Sequence, residues 1–107
     1  MVCIINGITF GYGSQEGFKK VQAIYNRGNF LRFALSGGVV ADLFFNNAPL
    51  SAAYSISRHD FDTFARAVDG VPDIVKNRVR LVSGDLMAHD RLHYKEKEFW
   101  MCIFHAH

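Results

Sequence analysis

The residues best suited to bind a metal ion are histidines gathered toward the end of the sequence. His89 and His93 are four positions apart, so they share one face of either a helix or a strand. Cys102, His105 and His107 add nitrogen and sulfur donors within a few residues, enough in number for a tetrahedral zinc site. Their spacing matches no zinc finger, zinc ribbon or HExxH motif. The prediction is therefore surface histidines, with no metal and no other cofactor.

A second group combines the residue types of a nucleophile, a base and an acid: Ser57, His59 and Asp60. A serine followed three positions later by an acidic side chain is also the pattern of a helix capping box. Capping accounts for Ser57 and Asp60, and a first helical turn would point His59 away from the hydroxyl. We therefore predict no catalytic residues, and a metal-dependent enzyme using His89 and His93 is kept as a third hypothesis.

A glycine-rich stretch, residues 11–17, lies between a hydrophobic segment and a predicted helix start. Free backbone N–H groups at such a place can hold a phosphate. Glu16 would repel an anion there, and the chain is too short for a doubly wound sheet. The prediction is a tight turn with Ser14 as the N-cap of the helix.

A third group could bind nucleic acid through phosphate contacts and base stacking. Its members are basic or aromatic and lie in the second half of the chain: Lys76, Arg78, Arg80, Arg91, Tyr94, Lys95, Lys97 and Trp100. From Arg58 onward, however, lysines and arginines are equal in number to aspartates and glutamates. A nucleic-acid-binding domain using Arg78, Arg80, Tyr94 and Trp100 is therefore the second hypothesis rather than the first.

The whole sequence has the length and composition of one folded domain. Its 107 residues are 50% hydrophobic and 21% charged, with a formal net charge of +2. This composition excludes a disordered chain, and the charge is too small to indicate nucleic acid or an anionic membrane as the partner. We predict one compact domain over residues 1–107.

The two cysteines, Cys3 and Cys102, lie near opposite ends and are flanked by apolar residues. They form no disulfide framework and no CxxC motif, so we predict two reduced, buried thiols in an intracellular setting. The first charged residue is Glu16, which excludes a cationic secretion signal, and Asn46, Asn47 and Pro49 interrupt the longest uncharged stretch. A cytoplasmic protein with no membrane partner is expected.

The elements that must position these groups alternate between short helices and strands. Two helices are predicted behind serines, from Ser14 toward Gly28 and from Ser57 toward Gly70. Strands are predicted at residues 2–10, 30–45, 50–56, 79–82 and 98–104. Residues 2–10 could instead form a tight hairpin, and residues 30–45 form two strands joined by a glycine turn. A turn of helix is predicted at 72–76, and residues 86–97 are left open between strand and helix. The predicted fold class is α+β: an antiparallel meandering sheet with two short helices on one face. A repeated strand, helix, strand, strand unit is compatible with this order.

The last predicted strand is apolar on both of its faces. Phe99, Met101 and Ile103 would point one way, and Trp100, Cys102 and Phe104 the other. Two short helices can cover only one face, so the second face must be buried by a long loop, a second copy of the chain or a different protein. We predict that the face of Trp100, Cys102 and Phe104 is closed by another chain.

The leading hypothesis is therefore a small protein-binding domain that acts by occupying a surface, as an inhibitor, an immunity or anti-defence protein, or a regulatory adaptor. Its predicted partner-binding residues combine aromatic anchors with a basic rim: Trp100, Phe104, Arg78, Arg80 and Tyr94.

Overall fold

The structure, a computed structural model, describes residues 3–27, 38–45 and 53–107. The described part contains two short strands, β1 (Ile5–Ile8) and β2 (Tyr54–Ile56). It also contains five helices: α1 (Tyr12–Arg27), α2 (Gly38–Phe45), α3 (Arg58–Val68), α4 (Asp73–Met87) and α5 (Tyr94–Ala106). None of these helices is both long enough and apolar enough to cross a membrane.

The predicted meandering sheet is wrong, because most of the described chain is helical. β1 pairs antiparallel with β2, Ile5 opposite Ile56 and Ile8 opposite Tyr54, and these two strands are the whole of the described sheet. The segments 38–45, 79–82 and 98–104, all predicted as strands, lie in α2, α4 and α5. The proposed strand, helix, strand, strand repeat is wrong for the same reason, and the predicted strand residues 30–37 lie outside the described part.

Residues 98–104 form a helix because their apolar side chains fit a helical face as well as a strand. Phe99, Trp100 and Ile103 are fully buried, and their spacing of one, three and four positions places them on one side of α5. A short continuous apolar run cannot be assigned to helix or strand by periodicity alone. The helix begins at a capping box in which His93 replaces the usual serine and Glu96 closes the box.

Residues 79–82 lie in α4 because the inward positions of that helix recur at helical spacing. Val75, Val79, Ser83 and Leu86 are buried along one face. Ser83 interrupts the apolar pattern, and its hydroxyl donates to the carbonyl of Val79 at 2.8 Å, so the polar group is satisfied within its own helix.

The helix predicted behind Ser57 is confirmed, together with its cap. The Ser57 hydroxyl accepts from the Asp60 N–H at 3.1 Å, and the Asp60 carboxylate accepts from the Ser57 N–H at 2.9 Å. Gly70 follows the C-cap residue, Asp69. The helix predicted behind Ser14 is also confirmed, but it begins at Tyr12, two residues before Ser14, so Ser14 is a buried residue of the first turn and not the N-cap. Gly28 lies outside the described residues.

The core is a cluster of aromatic rings between α1, α2, α3 and α5. The ring of Phe18 lies 4.9 Å from that of Phe10, 5.3 Å from Phe44 and 5.4 Å from Trp100, measured between centroids. Gly17 lets α1 approach this cluster: an added Cβ would contact Leu86 and lie 2.7 Å from Cζ2 of Trp100. A glycine is therefore required at this helix crossing.

The two cysteines are joined in a disulfide, so the prediction of two reduced thiols is wrong. Cys3 precedes β1, and Cys102 lies on the face of α5 beside it, with Cα atoms 6.0 Å apart. The Lys95 ammonium, also on α5, donates to the carbonyl of Asn6 in β1 at 2.7 Å. The first strand is therefore attached to the last helix by both a covalent bond and a hydrogen bond.

Candidate interaction surface

Helix α4 has an apolar stripe on its outward face. Ile74 and Leu81 are seven positions apart, close to two full turns, and their side chains are 61% and 72% exposed. The inward positions, Val75, Val79 and Leu86, lie on the opposite side of the helix. The side chains of Ile74 and Leu81 are therefore surplus to the core that α4 helps to build.

Basic side chains surround this apolar stripe. Arg78 lies between Ile74 and Leu81 on the same face, while Lys76 and Arg80 lie on the side of α4 that faces α5. No acidic residue occurs from position 74 to position 84. Asp73 and Asp85 flank the segment, and Asp85 lies on the face of the stripe, one turn beyond Leu81. The ion pairs found among the described residues involve none of these three cations. We call Ile74, Lys76, Arg78, Arg80 and Leu81 the α4 patch.

The positive charges of the α4 patch lower the pKa of a buried histidine. His107 is 5% exposed, and its pKa is lowered to about 4, first by burial and then by the charges of Arg80 and Lys76. Its Nδ1–H donates to the carbonyl of Ile103 at 2.8 Å, so Nε2 accepts from the hydroxyl of Tyr25. Burial raises the pKa of Tyr25, so both partners are neutral near pH 7.

The structure places the predicted partner-binding residues in three separate regions: the surface of α4 with its seam to α5, the start of α5, and the core. Arg78 and Arg80 are exposed on α4. The half-buried ring of Phe104 lies over Gly84 at the seam between α4 and α5, and its Cε2 atom is 3.8 Å from the position that a Cβ added to Gly84 would occupy. Tyr94 is exposed at the opposite end of α5, about 15 Å along the helix from Phe104.

Trp100 is fully buried in the core of its own chain. Its indole Nε1–H donates to the hydroxyl of Ser14 at 3.1 Å. On the predicted strand the ring would have pointed outward, whereas on α5 it is buried against α1. The side chain therefore presents no surface to a protein partner and cannot stack on a nucleic-acid base.

The glycine-rich turn binds an anion that belongs to the chain itself. Glu96, 5% exposed, accepts from the N–H of Gly11 at 2.6 Å and from the hydroxyl of Ser14 at 3.1 Å through Oε1. Its other oxygen, Oε2, accepts from the N–H of His93 at 3.2 Å. The carboxylate thus caps the first turns of both α1 and α5, where the helix dipoles favour negative charge. A phosphate would have to displace it.

The sequence analysis did not identify Glu96 as the residue that caps this turn. The signal for it was its position three residues after His93 and just before an apolar run, which is the spacing of a capping box. Because residues 86–97 were assigned neither to a strand nor to a helix, the capping-box spacing was not recognised as the start of a helix.

The histidines do not converge on one point. His89 and His93 accept hydrogen bonds from backbone N–H groups of Arg91 and Lys95 at their exposed positions, and His105 is exposed on α5. Within residues 3–27, 38–45 and 53–107, no three histidine, cysteine, aspartate or glutamate side chains are close enough to share a metal ion. Cys102, the remaining donor considered, is bonded to Cys3.

Of the residues considered for catalysis, His59 lines a groove of about 610 Å³ between α3 and the end of α5. His59 and His105 line this groove together with Asp62, Arg66 and Asp69. Ser57 and Asp60 are hydrogen-bonded to each other's backbone as caps, and His59 is exposed. The groove therefore contains no pair of side chains in the arrangement of a nucleophile and its base.

Comparison with protein-family models, with curated proteins and with solved structures finds no match to this chain. The α4 patch, which is defined by geometry and charge, is the surface from which a function can be argued.

Proposed function

We propose that this protein is a small protein-binding domain that acts by occupying a partner's surface, as an inhibitor, an immunity or anti-defence protein, or a regulatory adaptor. The single observation that supports this function is the exposed pair Ile74 and Leu81 on one face of α4. Ile74 and Leu81 present two large aliphatic side chains on the same helix face, with Arg78 between them. Exposed apolar surface rimmed by polar residues is typical of protein interaction sites.

The neighbouring residues support a protein partner over a small substrate. Arg78 lies within the stripe, and arginine is enriched at interface hot spots. The α4 patch is a convex helix face, whereas small-molecule sites are concave and enclosed. The half-buried ring of Phe104 at the α4–α5 seam extends the patch on one side.

The test is site-specific photo-cross-linking in cells of the protein's source. A photoreactive phenylalanine replaces Leu81 in one variant and Tyr12 in a matched control, because Tyr12 is equally exposed, at 78%, but begins α1. We expect one defined protein adduct from position 81 and none from position 12. The adduct should disappear when Ile74→Asp is added to the position-81 variant. Equal adducts from both positions, or no adduct from position 81, would overturn the proposal.

A cytoplasmic location is part of this proposal, and fractionation of the source cells tests it. The protein should be recovered with the cytoplasmic markers, and recovery from a secreted or other oxidising fraction would overturn this part of the proposal. Thiols are alkylated in intact cells before lysis so that the state of the Cys3–Cys102 disulfide is measured in the same fractions, because cytosolic glutathione and thioredoxin keep most thiols reduced.

A further inference from the structure

The charges of the α4 patch restrict the chemistry of its partner. We propose that the α4 patch binds an acidic, amphipathic helical segment of another protein; this inference rests on the proposed function and specifies its partner. Three cations, Lys76, Arg78 and Arg80, lie within five residues of α4, and no acidic residue lies between positions 74 and 84.

The arrangement of the apolar side chains points to a helix. Ile74 and Leu81 are separated by seven residues, which is about 10 Å along α4. A partner helix with apolar residues at positions i, i+3 or i+4, and i+7 presents a stripe of the same length. Acidic residues of that helix would lie next to Arg78 within the stripe and next to Arg80 on its α5-facing side.

The cations of the α4 patch are available for such contacts. Arg78 and Arg80 are exposed, and neither takes part in the ion pairs found among the described residues. Carboxylates of a partner could therefore bind them without displacing an internal salt bridge. Arginine binds carboxylates through two parallel N–H···O hydrogen bonds, which fixes the orientation of the partner as well as its charge.

A second copy of the chain is a poor occupant of the α4 patch. A two-fold axis would pair the stripe with itself in an antiparallel direction, placing Ile74 of one copy opposite Leu81 of the other. The centre of that arrangement would bring Arg78 against Arg78, and like charges facing each other oppose association. Asp85 lies on the same face one turn beyond Leu81, so in this pairing it would lie beyond Ile74 of the other copy and would not meet these arginines.

Nucleic acid fits the α4 patch less well than an acidic helix. The stripe itself consists of Ile74 and Leu81, which phosphates do not contact favourably. Trp100, the side chain best suited to stack on a base, is buried.

The experiment uses the full-length, disulfide-bonded protein and three labelled peptides of about 18 residues, or five helical turns. All three contain the same leucine stripe, and the flanking positions are glutamate, glutamine or lysine. Binding is measured by fluorescence anisotropy at low salt, where exposed charges are little screened. We expect the glutamate peptide to bind roughly tenfold more tightly than the glutamine peptide, and the lysine peptide to bind most weakly.

Two matched charge reversals locate the effect. Arg78→Glu should reduce the preference for the glutamate peptide over the lysine peptide, because the charge of the three cationic positions falls from +3 to +1. Arg66→Glu, at an exposed arginine on α3, should leave that preference unchanged. The variant Leu81→Ser should weaken the glutamine and glutamate peptides alike.

The outcomes separate the inference from the function on which it rests. If the glutamine peptide binds as tightly as the glutamate peptide and both depend on Leu81, the acidic partner is wrong and the protein-binding function survives. If no peptide shows binding that depends on Leu81, both are overturned. Tighter binding of a single-stranded oligonucleotide that is lost in Arg78→Glu would assign the patch to nucleic acid. A dimer of the free protein that is lost in Leu81→Asp would assign it to a second copy.

Discussion

Helices α4 and α5 are adjacent and similar in length, at 15 and 13 residues, yet they use their apolar residues in opposite ways. On α5, Phe99, Trp100 and Ile103 are fully buried. On α4, valines, a serine and a leucine suffice for the inward face, and Ile74 and Leu81 remain outside. The comparison teaches that helix phase, rather than residue type, decides which apolar side chains a partner can reach.

The largest effect expected from this comparison is the loss of stability in Trp100→Ala. Removing a fully buried indole should lower the free energy of unfolding by about 3–5 kcal/mol, because it leaves a cavity between α1 and α5. It also removes the donor to the Ser14 hydroxyl. Urea unfolding followed by circular dichroism measures the change, since the only tryptophan is lost. A variant that stays as stable as the wild type would contradict the burial of this ring.

The next effect is a pH dependence that arises at the end of α5. In the unfolded chain His107 titrates near pH 6.5, whereas burial lowers its pKa in the folded protein to about 4. Between these values the unfolded state binds more protons, so stability should fall as the pH is lowered from 6.5 to 4, by a total on the order of 3 kcal/mol. Above pH 6.5 this contribution is fully present.

The measurement is the free energy of unfolding at several pH values for the wild type, His107→Gln and His105→Gln. Carboxylates titrate in part of the same range, so the difference between variants is the informative quantity. His107→Gln should have a shallower pH dependence than the wild type, and His105→Gln, an exposed histidine on the same helix, should match the wild type. Equal slopes in all three would show that His107 is accessible to protons in the folded protein.

A smaller effect on stability is expected where α1 crosses α4 and α5. In Gly17→Ala the added methyl group would meet Leu86 of α4 and Trp100 of α5. Overpacking of this kind should lower the free energy of unfolding by about 1–3 kcal/mol, which a urea titration can resolve. The exposed glycine at position 70, whose added Cβ would lie 3.9 Å from the nearest atom, the carbonyl oxygen of Ala67, provides the matched Gly→Ala control. A neutral Gly17→Ala would mean that α1 is farther from both helices than described.

The smallest effect on stability should come from the outward face of α4. Leu81→Ser replaces a side chain that is 72% exposed, so the free energy of unfolding should change by no more than about 0.5 kcal/mol. This near-neutral result is what makes the variant useful in binding experiments. A loss comparable to that of Trp100→Ala would place Leu81 in the core and remove the basis of the α4 patch.

The helices behind Ser14 and Ser57 could be predicted from the sequence because their signals are local. A capping residue, apolar residues at helical spacing and a glycine near the end all lie within about four turns of chain. The segment 98–104 could not be assigned in this way. Its apolar residues are continuous, so periodicity alone does not separate helix from strand. The local signal that marks the start of α5, the capping-box spacing of His93 and Glu96, was not recognised.

The candidate surface was predicted in part. Arg78 and Arg80 were identified because charge is readable from the sequence and charged side chains usually remain outside. Trp100 was misplaced because its exposure depended on the strand assignment, and Ile74 and Leu81 were overlooked because a strand assignment for residues 79–82 gave Leu81 no distinct face. The disulfide was missed because Cys3 and Cys102 are separated by 99 positions and are brought together only by the complete fold.

That disulfide makes the protein a covalent ring, with a tail beyond each cysteine. One proteolytic cut between positions 3 and 102 opens the ring but releases no fragment, so the nicked molecule keeps both halves at their original stoichiometry and migrates as one species until a reductant is added. Helix α4 can therefore stay attached to the rest of the molecule after one of its two connecting segments has been cut. Two cuts, rather than one, are needed to separate it.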